Sequence, residues 1–214
     1  MLSALLASLI TTASIAFPTA CPTGDANQTS TGTSIATVSS ACDYGGPVAE
    51  GNAEAQAQMN SLEVGASATD IGYYGLEIVS EAQYSGMAPV GPDVFTFHIG
   101  GIMYSDGSWP QLTFTITTDG GSDSTYVKVE GGHFNYVDDT WSSMPIQTEG
   151  PYMADLRLTV SGENNGTGGG EIGATLIGIK DPVSQVPEPS TVALILVPLL
   201  VIMLICRPLV GRSS

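Results

Sequence analysis

Along much of this chain an apolar residue stands at every second position, a pattern that commits a polypeptide to extended strands. In "QLTFTITTDG", Leu112, Phe114 and Ile116 fall on one side and Thr113, Thr115 and Thr117 on the other. Successive side chains of a strand point to opposite faces, so the pattern predicts a sheet with one packed face and one wet face. "DVFTFHIGG" sets Phe95, Phe97 and Ile99 against Thr96 and His98. "YMADLRLTVSG" sets Tyr152, Ala154, Leu156, Leu158 and Val160 against Met153, Asp155, Arg157 and Thr159. "GLEIVSEAQY" sets Leu76 and Ile78 against Glu77 and Glu81, and "EIGATLIGIKD" adds a strand from Ile172 to Ile179. "TYVKVEGGHFNYVDD" reads as two strands about the Gly131-Gly132 turn, predicted to form a meander with the strand before them.

"AEAQAQMNSLEV" is the contested segment. Its residues are good helix formers, yet Ala53, Ala55, Ala57 and Met59 alternate with Glu54, Gln56, Gln58 and Asn60. A helix would scatter those alanines around its circumference, so a strand is expected, with a bulge or turn near Asn60 where the phase flips. Residues 22–50 are rich in Ser, Thr, Gly and Ala and suggest weak edge strands, and "SGENNGTGGG" (161–170) reads as a flexible loop. Many short strands with Gly turns predict an all-β, antiparallel β-sandwich over residues 22–182.

The two ends read differently from this domain. "MLSALLASLITTASIAFPTAC" is apolar from Leu2 to Ile15 and then turns to small residues, which suits a secretory signal peptide helix over residues 1–16. Cleavage is expected after Ala16, with Ala20 as the second position; no Lys or Arg precedes the apolar run. A buried N-terminal helix is the alternative. Export places the chain in an oxidising compartment, where Cys21 and Cys42 are a candidate disulfide pair; two free thiols are the other reading. At the far end, Val192–Cys206 carries no charge and makes a helix of roughly 23 Å. A bilayer core is about 30 Å thick, so the span is short, extended by Ser190 and Thr191 and by the snorkelling Arg207. Arg207 and Arg212 place this end in the cytoplasm by the positive-inside rule.

Pro187-Glu188-Pro189, then Ser190-Thr191, a short apolar helix and terminal arginines, resembles the PEP-CTERM sorting signal of exported Gram-negative bacterial proteins. The resemblance covers the last residues of the chain, with Pro198 inside the helix and two separated arginines as departures. It implies an exosortase as partner, which cuts near the Pro-Glu-Pro motif while the helix (191–212) holds the protein at the inner membrane. It implies in turn a cell-surface or extracellular destination, often in organisms that make extracellular polysaccharide. Residues 183–190 then form the linker that carries the motif.

Chemistry is sparser. Between Asp25 and Glu188, 21 acids face only Lys128, Arg157 and Lys180, a field that repels phosphate backbones and excludes nucleic acid as a partner. His98 and His133 lack a third ligand at metal-site spacing, and no nucleophile elbow, zinc-protease helix or phosphate loop occurs. No cofactor and no enzymatic activity are expected. Asp119 and Asp123, in a Gly-rich turn, are weak calcium candidates. Trp109 and Trp141 stand in turn-like stretches where an exposed ring could stack on a sugar, or cap the ends of the core. Tyr73, Tyr74, Tyr84 and Tyr152 are further aromatic candidates. The reading is an exported protein with a structural or adhesive role at the surface or in the extracellular matrix. A carbohydrate-binding module is the alternative, and a polysaccharide hydrolase the more distant one.

Overall fold

A computed structural model describes residues 8–17, 25–43, 48–70, 76–88, 94–118, 124–129, 134–146 and 150–180. Residues 1–181 form one compact unit and 182–214 another. The sorting motif Pro187, Glu188 and Pro189, the flanking Arg207 and Arg212, and the apolar helix lie outside the described residues, as do Cys21, Asp119, Asp123, His133, Tyr73 and Tyr74.

In chain order the strands are β1 (Ser8–Ala16), β2 (Ala26–Thr31), β3 (Ala36–Asp43), β4 (Val48–Gln58), β5 (Ser61–Asp70), β6 (Leu76–Ala88), β7 (Val94–Thr118), β8 (Ser124–Val129), β9 (Asn135–Ser142) and β10 (Gly150–Lys180). All pairings are antiparallel. Two strands organise the rest. β7 and β10 run as one long ladder from Tyr152↔Thr118 to Lys180↔Val94. At 3.3 Å or so per residue, such a ladder is far longer than an ordinary strand pair, and it creases in the middle. One half carries β6, β1 and β2 on one side and β8 on the other; this is sheet I. The other half carries β5, β4 and β3 on one side and β9 on the other, making sheet II. β6 of sheet I packs against β4 and β5 of sheet II, so the folded ladder nearly closes the antiparallel sheet into a barrel- or sandwich-like all-β fold.

The crease has a local cause. Thr167 pairs with Gly107 but Gly168 with Ser105, so Asp106 is an extra residue in β7, and Gly107 takes φ +75 beside it. This is a β-bulge with glycine in the left-handed region. One extra residue inverts the parity of everything beyond it. Phe95, Phe97, Ile99 and Met103 face inward before the bulge; Leu112, Phe114 and Ile116 face inward after it. Both halves therefore turn their apolar side chains into one core. Phe97 meets Phe114 edge-on with centroids 4.7 Å apart, and Phe95 meets Tyr152 at 4.6 Å, each a contact between the two sheets.

Three expectations change here. The meander is not formed: β8 pairs with the second half of β7, while β9 pairs with the first half, Thr96–Met103. The two strands belong to different sheets because the strand they share crosses the crease. The loop expected over residues 161–170 is strand, and its glycines answer to packing. A Cβ on Gly168 would lie 1.6 Å from the Ser108 hydroxyl oxygen, and one on Gly169 would lie 2.3 Å from the Ala66 carbonyl oxygen. Finally, Ser8–Ala16 is not a helix but a strand between β2 and β6, and Ala13, Ile15 and Phe17 lie in the core. The apolar run conceals a period of two, with Thr12 and Ser14 outward, so the folded unit begins before residue 22.

The contested alanine segment is β4, with Ala53, Ala55 and Ala57 buried and Asn60 at φ +67 in the turn to β5. β2 and β3 are edge strands, as their composition suggests. At the opposite edges, the Tyr126 hydroxyl of β8 donates to Asp139 Oδ2 of β9 at 2.5 Å, with Lys128 Nζ 3.5 Å from the same oxygen. The Tyr126 hydrogen bond, aided by Lys128, holds the Asp139 carboxyl below its usual range.

Gly101 tests how tightly the ladder is packed: it has φ +151, and a Cβ there would lie 2.0 Å from the Glu171 carbonyl oxygen. Gly101→Ala is expected to cost about 3 kcal/mol in urea unfolding. Gly150→Ala, with nothing within 4 Å of the new Cβ, is expected to stay within about 0.5 kcal/mol of the parent.

Candidate functional site

The outer face of sheet II holds an open trough of about 1040 Å³. Its shape follows from where side chains are missing. Across β5, β10 and β7 the register sets Ser67, Gly169 and Tyr104 in one row, and Gly65, Glu171 and Ile102 in the next. Glu63, Gly173 and Gly100 form the third row, and Ser61, Thr175 and His98 the fourth. Four of these outward positions, Gly65, Gly100, Gly169 and Gly173, are glycine; the Tyr104 hydroxyl lies over Gly169 and the His98 ring beside Gly100, so backbone is bared chiefly at Gly65 and Gly173. The four rows span about 20 Å along the strands, enough for several sugar rings.

The walls differ in chemistry. On the β4–β5 side stand the exposed Asn52, Glu54 and Glu63 and the half-buried Gln56, acceptors and amides. On the β7–β9 side stand Tyr104 and Phe134, their centroids 5.8 Å apart and their planes 31° from parallel. The Tyr104 hydroxyl lies over Gly169, 2.8 Å from where a Cβ would be, and burial pushes its pKa above the ordinary phenol value. Phe134 is 71% exposed. Glu171 rises from the floor between the walls. The trough continues past Gly100 and Gly101 to His98, whose Nδ1 is 3.7 Å from Asp138 Oδ1. Aromatic faces opposite amides and carboxylates over a bare backbone floor suit a flat, hydroxyl-rich ligand with apolar ring faces.

The aromatic candidates read from sequence are dispersed. Trp109 is 62% exposed beside the crease and is not part of the trough. Trp141 is half-buried, edge-on to Phe114 at 5.3 Å, and packs against the core. Tyr152 is 5% exposed and belongs to the core outright, with Tyr84 at 5.9 Å. Burial, with Tyr84 beside it, drives the Tyr152 hydroxyl pKa up. Neither Tyr104 nor Phe134 stood out in the sequence: Phe134 follows a Gly-Gly pair and reads as turn, and Tyr104 lies past the break in alternation at Gly100-Gly101. The signal that could have found the trough is glycine at outward strand positions on three neighbouring strands, which register alone reveals. Cys42 is buried and disulfide-bonded. Among the described residues no group of three or more His, Cys, Asp or Glu could hold a metal ion, and no helix is long and apolar enough to cross a membrane.

A second cluster lies on the outer face of sheet I. Asp155 of β10 is partly buried, its Oδ1 without a hydrogen-bond partner, and Glu81 of β6 is its neighbour. Burial, then the neighbouring Glu81 charge, pushes the Asp155 pKa up to about 7 against the opposing pull of Arg157. Gln83 Nε2 donates to Glu81 Oε1 at 2.7 Å.

No family model matches the chain, and no curated protein matches it. Among solved structures, one similar chain is TmCBM61 in complex with beta-1,4-galactotriose, at 10% identity over 63% of this chain and 90% of that one, with a TM-score of 0.31. A likeness at that level bears on neither fold nor ligand here.

The Asp155 geometry predicts a pH dependence of stability. The folded state binds the proton more tightly than the unfolded chain, whose aspartates titrate near about 3.9. Its contribution is complete below that value and is lost as pH rises towards about 7. The thermal midpoint is expected to fall between pH 4 and 7 or so, and Asp155→Asn is expected to flatten that slope and to raise the midpoint at neutral pH.

Proposed function

We propose that this chain is a non-catalytic glycan-binding protein whose trough on sheet II holds a segment of uncharged polysaccharide. The observation that carries this reading is the half-buried Tyr104 beside the exposed Phe134, next to the glycines of the trough and opposite Asn52, Glu54, Gln56 and Glu63. Sugar rings present axial hydrogens to aromatic faces and hydroxyls to amides and carboxylates, so the two walls match the two sides of one pyranose ribbon. Glu54, Glu63 and Glu171 face the trough, which disfavours uronates and sulfated chains on Coulombic grounds. An adhesive or structural role in a matrix follows from holding such a polymer without cutting it.

Export and sorting are part of the same proposal and rest on the sequence: Pro187-Glu188-Pro189 with the apolar helix and Arg207 and Arg212 would hand the protein to an exosortase at the inner membrane. The route ends at the cell surface or outside the cell. Mass spectrometry of the protein recovered from an exosortase-bearing host is expected to find no peptides beyond Ser190; recovery of the intact tail would overturn the sorting proposal.

Calorimetric titration of the full chain in detergent with neutral and uronate-containing oligosaccharides tests the binding reading. Neutral chains are expected to bind. Phe134→Ala and Tyr104→Ala are each expected to weaken binding about tenfold or more, some 1.4 kcal/mol. Gly65→Val raises the floor where a Cβ finds only ordinary contacts, at 3.9 Å or beyond, so it should block the ligand while leaving the thermal midpoint in place. Trp109→Ala should leave affinity unchanged. No binding to any neutral glycan, or equal loss in the Trp109 variant, would sink the assignment.

A further inference from the structure

β1 occupies a slot. β6 pairs with it from Ser8↔Ser85 to Ala16↔Glu77, and β2 from Ile10↔Thr31 to Ile15↔Ala26. Thr11, Ala13 and Ile15 face inward and are buried; Thr12 and Ser14 lie on the outer face. The seat is shaped beyond the ladder. The Thr11 hydroxyl donates to the Ser34 carbonyl at 3.2 Å, and Gly32 N donates to the Leu9 carbonyl at 2.9 Å. Across the sandwich, Gly51 of β4 leaves the hollow that Ile15 and Ile78 fill: a Cβ there would lie 3.2 Å from Ile15 Cγ2 and 2.8 Å from Ile78 Cδ1. Phe17, just past the strand, is buried, and its N–H donates to Asp25 Oδ1 at 2.8 Å. The rim on the domain side is therefore held by residues outside the strand itself.

The strand ends at Ala16, the position where the sequence carries small residues suited to leader cleavage. A cut there takes away the whole of β1 together with residues 1–7. It strips β6 of its partner along that edge, leaves β2 without the ladder it has among the described residues, and opens the Gly51 hollow. An extended edge of unpaired N–H and C=O groups above an apolar cleft is an acceptor for strand addition.

We propose that the slot between β2 and β6 is a strand-binding site whose occupant is the Ser8–Ala16 segment of this chain, seated in the same molecule when the chain is intact and supplied by a second, uncut copy when it is cut after Ala16. The fit is specific because the buried positions Thr11, Ala13 and Ile15 take small or β-branched side chains, with Leu9 packed in part against the core, while Thr12 and Ser14 lie on the outer face. The same segment would join one molecule to the next, giving a surface protein a route to self-association set by how far its leader has been processed.

The test has two arms, both on the full chain in detergent. In the intact chain, Ala13→Asp and Ile15→Asp each place a charge in the core and are expected to lower the thermal midpoint by about 10 °C, whereas Ser14→Asp should shift it by no more than about 2 °C. Equal effects at the three positions would overturn the seating. In a chain that starts at Phe17, a fluorescent peptide of residues 8–16 is expected to bind saturably and to raise the midpoint, and the same peptide with Ile15→Asp should do neither. Where the cut chain aggregates on its own, refolding with the peptide is expected to recover a soluble complex. Absence of saturable binding, equal binding by the charged peptide, or no soluble complex under either condition would each overturn the proposal.

Discussion

The crease in the β7–β10 ladder is the constraint from which the rest of this fold follows. A ladder of that length can bury both halves only by folding back on itself; β10 keeps its even-numbered residues inward on both sides of the fold, whereas the apolar residues of β7 change from odd to even positions across it. Asp106 matches that change of phase, because one insertion inverts the inward set of β7 beyond it, while β10 passes the crease with an even number of extra residues, 163–166, and keeps its phase. The crease is also well satisfied in hydrogen bonds: the Ser108 hydroxyl donates to the Thr167 carbonyl at 2.8 Å and the Ser105 hydroxyl to the Ser108 carbonyl at 2.5 Å. These two buried serines stand where apolar residues would leave backbone carbonyls at the bend without a donor. Removing Asp106 would leave every strand its propensity and deprive the two sheets of a common core.

The same ladder explains why the trough is where it is. Some of its glycines are demanded by packing, as at Gly169, where any side chain would collide with the Ala66 carbonyl. Gly65 is different. A Cβ there meets nothing closer than 3.9 Å, so the fold would accept valine or threonine and gain strand propensity from it. Gly173, with its nearest neighbour at 3.7 Å, is in the same position. Glycine in a strand interior carries an entropic cost and packs nothing. Where that cost brings no structural return, the return is sought in what the missing side chain uncovers, here a backbone floor between an aromatic wall and an acidic one.

Much of this was legible in the alternation. Leu112, Phe114 and Ile116 are buried as their spacing requires, as are Phe95, Phe97 and Ile99, and Ala53, Ala55 and Ala57 resolve against helix propensity. Period two survives because it reports burial directly. What escaped reading was non-local. Whether β9 pairs with β8 or reaches the first half of β7 depends on a bulge thirty or so residues upstream, and local turn chemistry at Gly131-Gly132 argues for the nearer partner. The run of glycines at 168–170 has the composition of a linker, and only the neighbouring strands show that each is a close approach. The trough combines Gly65, Gly100 and Gly173 with Tyr104 and Phe134, residues brought together by register across separate strands, so no linear window contains it.

The N-terminal segment shows why amount and period of hydrophobicity must be read separately. A leader is recognised by how apolar it is over a short stretch and by small residues at its end. A sandwich strand is recognised by which alternate positions are apolar. Ser8–Ala16 satisfies both, because threonine and serine lower its mean hydropathy little and still present hydroxyls to the wet face, while Ala13 and Ile15 supply the inward set. On the export route proposed above, the two readings compete for the same residues at different times: before folding the segment would be an apolar stretch open to processing, and after folding it lies between β2 and β6. The order of those events, cleavage or docking first, then decides whether the domain carries a closed sheet or an open acceptor edge. The fold alone does not dictate that order, since the domain's rim at Phe17 and Asp25 is formed by residues that remain after the cut.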